Sequence, residues 1–304
     1  MLVTGEQFEI RFGPARAVVT EVGAALRVFE VGGVPYVETY AADQLPPLGC
    51  GAVLVPWPNR VRDGRWVLDG EPQQLALTEA ERGNAIHGLT QYATWSPVER
   101  DENAVTLQTR VNVQPGWPVP LVVRVRYAVG AEALTVTHTV ENVGSRRIPF
   151  GVGAHPYVRA GVADPRECTL TLSATTWLPT DDRLLPAGEP QPVAGTGYDL
   201  RDGRRLDELT LDTAFGGCAP DEGDTLVRHA LVGPDGDGVE VFAEPVFRWV
   251  QVFTPDSFPG RGHAVAIEPM TCPPDALNSG VDLLWLEPGE SWSAFWGLRP
   301  LRAA

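Results

Sequence analysis

No lysine occurs anywhere in this chain of 304 residues, so all 24 of its basic side chains are arginines. That absence excludes Schiff-base and pyridoxal chemistry and the lysine of a phosphate-binding loop. Positive charge is scarce altogether, because 24 arginines face 39 acidic residues and the formal net charge is −15. An acidic field of that size repels phosphate backbones and anionic membrane surfaces, so neither a nucleic acid nor a membrane partner is expected. Cysteine is also sparse. Cys50, Cys168, Cys218 and Cys272 are scattered with no pair at metal-binding spacing, and they read as ordinary buried thiols. No run approaches the ~18 apolar residues of a membrane span. The opening MLVTGEQFEIRFG lacks the basic-then-apolar order of a secretory leader, so a cytoplasmic location is the expectation.

What the sequence has in abundance is punctuation. With 32 Gly and 28 Pro spread along the chain, the composition suits many short strands joined by tight turns and leaves little room for long helices. Alternation with period two dominates. Leu121, Val123, Val125, Tyr127 and Val129 are set against Arg124 and Arg126. After a turn at Gly130, Leu134, Val136, His138 and Val140 oppose Thr135, Thr137 and Thr139, which predicts a hairpin. Similar runs predict strands at Cys168 to Leu172, Val239 to Ala243, Trp249 to Phe253 and Trp292 to Leu298. No stretch carries a helical apolar stripe, and the acidic segment Leu206 to Ala214 is the one candidate for a short helical turn. No repeat or linker divides the chain. The reading is one domain over residues 1–304, all-β with little helix, whose antiparallel sheets hide their edges in a large sandwich or a barrel.

Two of the five histidines lie in Gly- and Pro-marked segments that read as strand ends, NAIHGL around His87 and GVGAHPYV around His155. In HAVAIEPMTCPPDALNSG, Glu268 sits where a strand is expected to end, before a proline that stops the ladder. VPWPNRVRDGRW contributes Asn59 beside the bidentate donor Arg60, among Trp57 and Trp66, a mixture of polar forks and aromatic faces that suits sugars. In chain order the motifs are Asn59-Arg60, Asn84 to Gly88, His155 to Tyr157, Asp212 to Phe215, and Glu268 followed by Pro274 to Asn278. Together they resemble the aldose 1-epimerase family, also called galactose mutarotases, from about Asn59 to Asn278.

The resemblance implies a galactose mutarotase-like β-supersandwich and a metal-free, cofactor-free isomerase that interconverts the α and β anomers of a free aldohexose. By the same resemblance His155 is the general acid that protonates the ring oxygen and Glu268 the base that takes the C1 hydroxyl proton. His87 donates a hydrogen bond near the ring oxygen, and Asn59, Arg60 and Asp212 fix sugar hydroxyls, with Gln251 and Trp249 as further substrate contacts. Trp57 is a second candidate pocket wall. A free imidazole titrates near ~6.5, so the acid role requires a raised pKa, which carboxylates from Glu268 and Asp212 are expected to supply. His138 reads as a core histidine, His229 and His263 as surface-loop residues, and Trp292 and Trp296 as core packing. Val158 and Arg159 depart from the Phe-Asn that many relatives carry after His-Pro-Tyr, and Leu89 and Met270 also replace common residues, which bears on sugar choice. The rival functions are a zinc enzyme, a glycoside hydrolase, a sugar-phosphate mutarotase tested at Arg159, and an inactive carbohydrate-binding protein. The expected partner is a small sugar, and the chain is expected to act as a monomer or homodimer.

Overall fold

The computed structural model describes residues 2–302. Among them every strand pairing is antiparallel, and the one α-helix is the single turn Ala276–Ser279. The predicted hairpin forms as read: Leu121–Val129 pairs with Leu134–Asn142, Val125 opposite His138, and both strands alternate buried and half-buried residues along their whole length. These strands sit in a nine-stranded sheet that continues through Ser291–Leu301, Gly238–Ala243, Val227–Val232 and Thr169–Leu172. A second, eight-stranded sheet contains Asp212–Gly216, Trp249–Phe253, Val265–Met270, Gly153–Ala154 and Val53–Leu54. A four-stranded meander, Gln7–Phe12 to Val34–Pro35, packs at the N-terminal end, where the sequence pattern alone named no strands.

One apolar cluster joins the sheets, with Val125, Val136, Trp296 and Leu298 from the larger and Phe215, Val250, Val252, Val265 and Ile267 from the smaller. The smaller sheet therefore divides its labour by parity. In Trp249–Phe253, Val250 and Val252 face this core, and the intervening Gln251 faces away from it. In Val265–Met270, Val265 and Ile267 do the same, and Glu268, next after Ile267, faces away with Gln251. Period-two geometry thus places the polar residues of these strands on one common face.

Several local expectations need correction. The candidate helical segment forms only the 3-10 turn Leu206–Glu208, after which the chain extends into Asp212–Gly216. Pro269 does not stop its ladder: the strand runs to Met270 and Pro269 lies opposite Val250. Proline is accommodated because the strand on its other side comes in two short pieces, paired through Gly153 on Met270 and through Tyr157 and Val158 on Ala266 and Val265. His229 is buried in Val227–Val232 and its Nδ1 accepts from the Ser173 N–H at 3.2 Å. His263 is also buried, with Nδ1 2.8 Å from Asp256. His138 is the core residue expected, its Nε2 accepting from Trp296 Nε1–H at 2.9 Å. Trp296 is buried, and the half-buried Trp292 packs edge-on against Phe150.

The buried histidines make stability sensitive to acid. Burial holds His138 down to about 3 and His229 to about 4, and His155 in the site to about 4, against 6.5 for a free side chain. Below 6.5 the unfolded chain therefore binds more protons than the folded one. Stability falls as the pH drops, by up to ~1.4 kcal/mol per pH unit for each such histidine. Glu268, whose folded carboxyl is raised, acts in the opposite sense, since its contribution is present at low pH and is lost as pH rises. One carboxyl offsets one imidazole, so the melting temperature is expected to drop between pH 6.5 and 5. Calorimetry at pH 7, 6 and 5 checks this, and a constant melting temperature contradicts it.

Candidate active site

The register of the smaller sheet builds the centre of the site. Gly153 lies opposite Met270 and Tyr157 opposite Ala266, so the same antiparallel register puts His155 across from Glu268. The chain between the two short pieces is held from the other side: the His155 N–H donates to Ala52 O at 3.1 Å, and its carbonyl accepts from the Gly51 N–H at 2.8 Å. His155 Nε2 and Glu268 Oε1 come to 3.4 Å with both side chains buried. On the opposite flank Gln251 pairs with Glu268 in register, and its Nε2 donates to Asp212 Oδ1 at 2.6 Å. Four residues from four chain segments thus form one polar row.

Arg60, Asn59 and His87 enter from a separate two-stranded ribbon, Arg60–Arg62 with Asn84–Ile86. Asn59 and His87 both adopt positive φ, 56° and 63°, at the ends of that ribbon. There Asn59 Oδ1 accepts from the Arg60 N–H at 2.8 Å, and Asn59 O accepts from the His87 N–H at 3.0 Å. The Pro274 to Asn278 motif works from behind: Asp275 Oδ1 accepts from the Arg62 N–H, the Asp275 N–H donates to Arg60 O, and Asn278 donates to Asp275 and to Arg65 O. It braces the backbone that carries Arg60 and lies outside the cavity wall.

These residues line a cleft of about 500 Å³, with His87, His155 and Glu268 joined by Asn59, Arg60, Asp212, Gln251 and Phe253. The His87 ring meets His155 edge-on at 5.4 Å, and Tyr157 stacks on the other side of His155 at 5.1 Å. Gly49 closes over the ring edge. A Cβ there would stand 3.2 Å from His155 Cδ2, so a side chain at this position would crowd the imidazole. Sequence reasoning missed Gly49, Leu48, Glu79, Arg82, Gln91 and Tyr92, all of which line the cleft. They lie on turns without periodicity, so nothing in their spacing marked them.

Two aromatic expectations are not met. Trp249 packs with Leu178, Ala214 and Met270 and donates its indole N–H to Asp282 at 2.8 Å, outside the cleft. Trp57 walls a neighbouring groove beside Leu75, Leu89 and Pro115. Arg159 is also removed from the cleft, paired with the buried Glu38 at 3.5 Å and bonded to Gly161 O.

Electrostatics corrects a further expectation. His155 is not raised but lowered to about 4, because burial disfavours its charged form. Burial also pushes Glu268 well above the carboxylate range, with Asp212 adding repulsion and Arg60 opposing it. His87 is held neutral by burial and by the charges of His155 and Arg60. The first pair is best described jointly. A neutral imidazole with a carboxylic acid and an imidazolium with a carboxylate hold the same number of protons, so the two forms differ only in where one proton sits. Among the described residues no group of three or more His, Cys, Asp or Glu side chains is placed to hold a metal ion. The arrangement can deliver one proton and remove another across a small polar ligand.

Comparison with known proteins agrees with the motifs. A family model described as aldose 1-epimerase matches residues 6–299. The uncharacterized protein YihR of Escherichia coli (strain K12) is 29% identical over 98% of this chain and 94% of its own length. Human galactose mutarotase is 30% identical over 53% of this chain and 49% of its own length. Among solved structures, the GalM/aldose epimerase homologue from C. elegans superposes with a TM-score of 0.85 at 18% identity, covering 97% of this chain and 98% of that one. A putative aldose 1-epimerase from Escherichia coli K12 gives 0.82 at 22% identity, covering 97% and 98%. At those identities the structural likeness shows the galactose mutarotase-like fold.

Proposed function

We propose, for a chain that belongs to the aldose 1-epimerase family, that it interconverts the α and β anomers of a free, uncharged aldohexose such as galactose or glucose. The observation that carries this reading is the buried His155–Glu268 pair, 3.4 Å apart at the floor of a polar cleft. Ring opening needs one proton given to the ring oxygen and one taken from the C1 hydroxyl; rotation about C1–C2 and closure on the other face reverse both transfers. His155 gives the first and Glu268 takes the second. They start from the imidazolium–carboxylate form, which the pair reaches by moving its shared proton from Oε1 to Nε2 with no exchange with solvent. Arg60, Asn59, Asp212 and Gln251 hold sugar hydroxyls so that C1 stays between acid and base, and neutral His87 donates toward the ring oxygen. A phosphorylated sugar is not favoured, since Arg159 lies away from the cleft with Glu38 as its partner.

The shared proton gives the reaction a recognisable pH dependence. The working pair carries one exchangeable proton. It gains a second as the pH falls through about 4, where His155 titrates. It loses the first only above the raised range of Glu268. Measured as kcat/KM for anomer exchange, activity is expected to rise with pH through about 4 and to fall again only once Glu268 gives up its proton, well above the range of a free carboxylate. A histidine acting alone would instead lose tenfold per unit above ~6.5 and show no rise through about 4, and a profile without that acid limb contradicts the paired reading.

A further inference from the structure

Glu79 belongs to the cleft wall but takes no part in the proton transfers above. Its carboxylate, 14% exposed, holds Arg60 in a fork: Nε lies 3.1 and 3.0 Å from its two oxygens, and Nη2 donates to Oε1 at 3.0 Å. Asn84 Nδ2 adds a bond to Oε2 at 2.9 Å and Arg82 Nη1 one to Oε1 at 3.2 Å. The turn that carries Glu79 is itself fastened. Glu79 and Asn84 exchange backbone hydrogen bonds of 3.0 and 3.2 Å, and Arg183 donates to Asn84 Oδ1, to Gly83 O and to Asp63. Burial raises the Glu79 carboxyl, and the bonds from Arg60 and Asn84 together outweigh it, so the group stays ionised.

A second carboxylate competes for the same guanidinium. Asp212 Oδ2 stands 3.6 Å from Arg60 Nη2, beyond hydrogen-bond distance, while its Oδ1 is taken by Gln251. A guanidinium carries five N–H donors in a rigid plane. With Nε and Nη2 committed to Glu79, the Nη1 edge of Arg60 has no protein acceptor among the described residues. From these contacts we infer that Glu79 is a positioning residue, which keeps Arg60 from closing on Asp212 and so leaves both free for the sugar's hydroxyls.

The inference rests on the reading of this cleft as a sugar site, and it has a second consequence at the reacting groups. Asp212 helps keep the Glu268 proton bound. If Arg60 swung onto Asp212, that repulsion would be neutralised and Glu268 would release its proton more readily.

The test is Glu79→Gln in the full chain, with anomer exchange measured against pH and sugar concentration and the melting temperature taken alongside. The expected result is a rise in KM of about tenfold or more, on the scale of losing a charge-assisted fork, with kcat changed far less. The alkaline limb of kcat/KM is expected to move to lower pH. Adding Arg60→Lys to Glu79→Gln is expected to cost much less than the product of the two single losses. Should the glutamine variant not fold, Glu79→Asp keeps the charge but shortens its reach, and it is expected to show the same KM rise and limb shift in weaker form. An unmoved KM and alkaline limb in a folded variant, or single losses that multiply, would overturn the inference while leaving the sugar site intact. Absence of anomer exchange in the wild type would instead remove the sugar reading and this inference with it.

Discussion

Replacing Glu268 with glutamine is expected to lower kcat for anomer exchange by about 10²- to 10⁴-fold, the usual contribution of a positioned base. An amide has nearly the shape of the carboxyl but cannot take the C1 hydroxyl proton. KM should change little, because Gln251, Asp212 and Arg60 still meet the hydroxyls. The stability readout should move the other way. Glu268 is 2% exposed, and its Oε2 has no hydrogen-bond partner among the described residues. A buried carboxyl left unsatisfied costs folding free energy that a neutral amide reduces, so the melting temperature of Glu268→Gln at neutral pH is expected to equal or exceed that of the wild type. Loss of turnover together with gain of stability marks a group kept for chemistry. A variant that keeps its turnover shows that Glu268 is not the base.

His155→Asn is expected to lose as much turnover, about 10²- to 10⁴-fold, for a different physical reason. Asparagine has a fixed N–H donor and no proton to release near neutral pH, so the ring oxygen is no longer protonated as the ring opens. This variant should also be less stable, since the imidazole fills the space between Tyr157, stacked at 5.1 Å, and His87, edge-on at 5.4 Å. Each aromatic contact is worth on the order of 0.5–1.5 kcal/mol. Because His155 and Glu268 share one proton, the double variant should fall little below either single one. Losses that multiply would mean that the two side chains act independently, contrary to a shared-proton pair.

Much of the fold could be read in the sequence because alternation is a backbone property that survives in every strand. The Leu121–Val129 and Leu134–Asn142 hairpin and the Trp249–Phe253 strand follow directly from it. The same signal is present at Val227–Val232, where Val227, His229 and Leu231 are buried and alternate with half-buried neighbours, yet the sequence reading places His229 in a surface loop. Glu268 was identified by its motif but misplaced by its proline. The gap that tolerates Pro269 belongs to the neighbouring strand, some hundred residues earlier in the chain, and no local pattern could reveal it.

Charge states were the least legible feature. The resemblance implies two acids near His155 and a raised imidazole, whereas in the folded protein burial lowers His155 and raises Glu268. Trp249 shows a related limit. Spacing sets it on the same strand face as Gln251, yet only the packing against Leu178 and Met270 shows that its ring turns away from the cleft. Glu79 had no signature at all, because its importance comes from Arg60, which reaches it from a different strand.

The most direct test of the site is magnetisation-transfer NMR on equilibrated galactose or glucose, which follows α–β exchange without any coupling enzyme. The wild-type protein is expected to speed exchange well beyond the buffer rate, with Glu268→Gln and His155→Asn returning it nearly to that rate. Exchange no faster with the wild-type protein than in buffer, for both sugars, would contradict the proposed anomer chemistry.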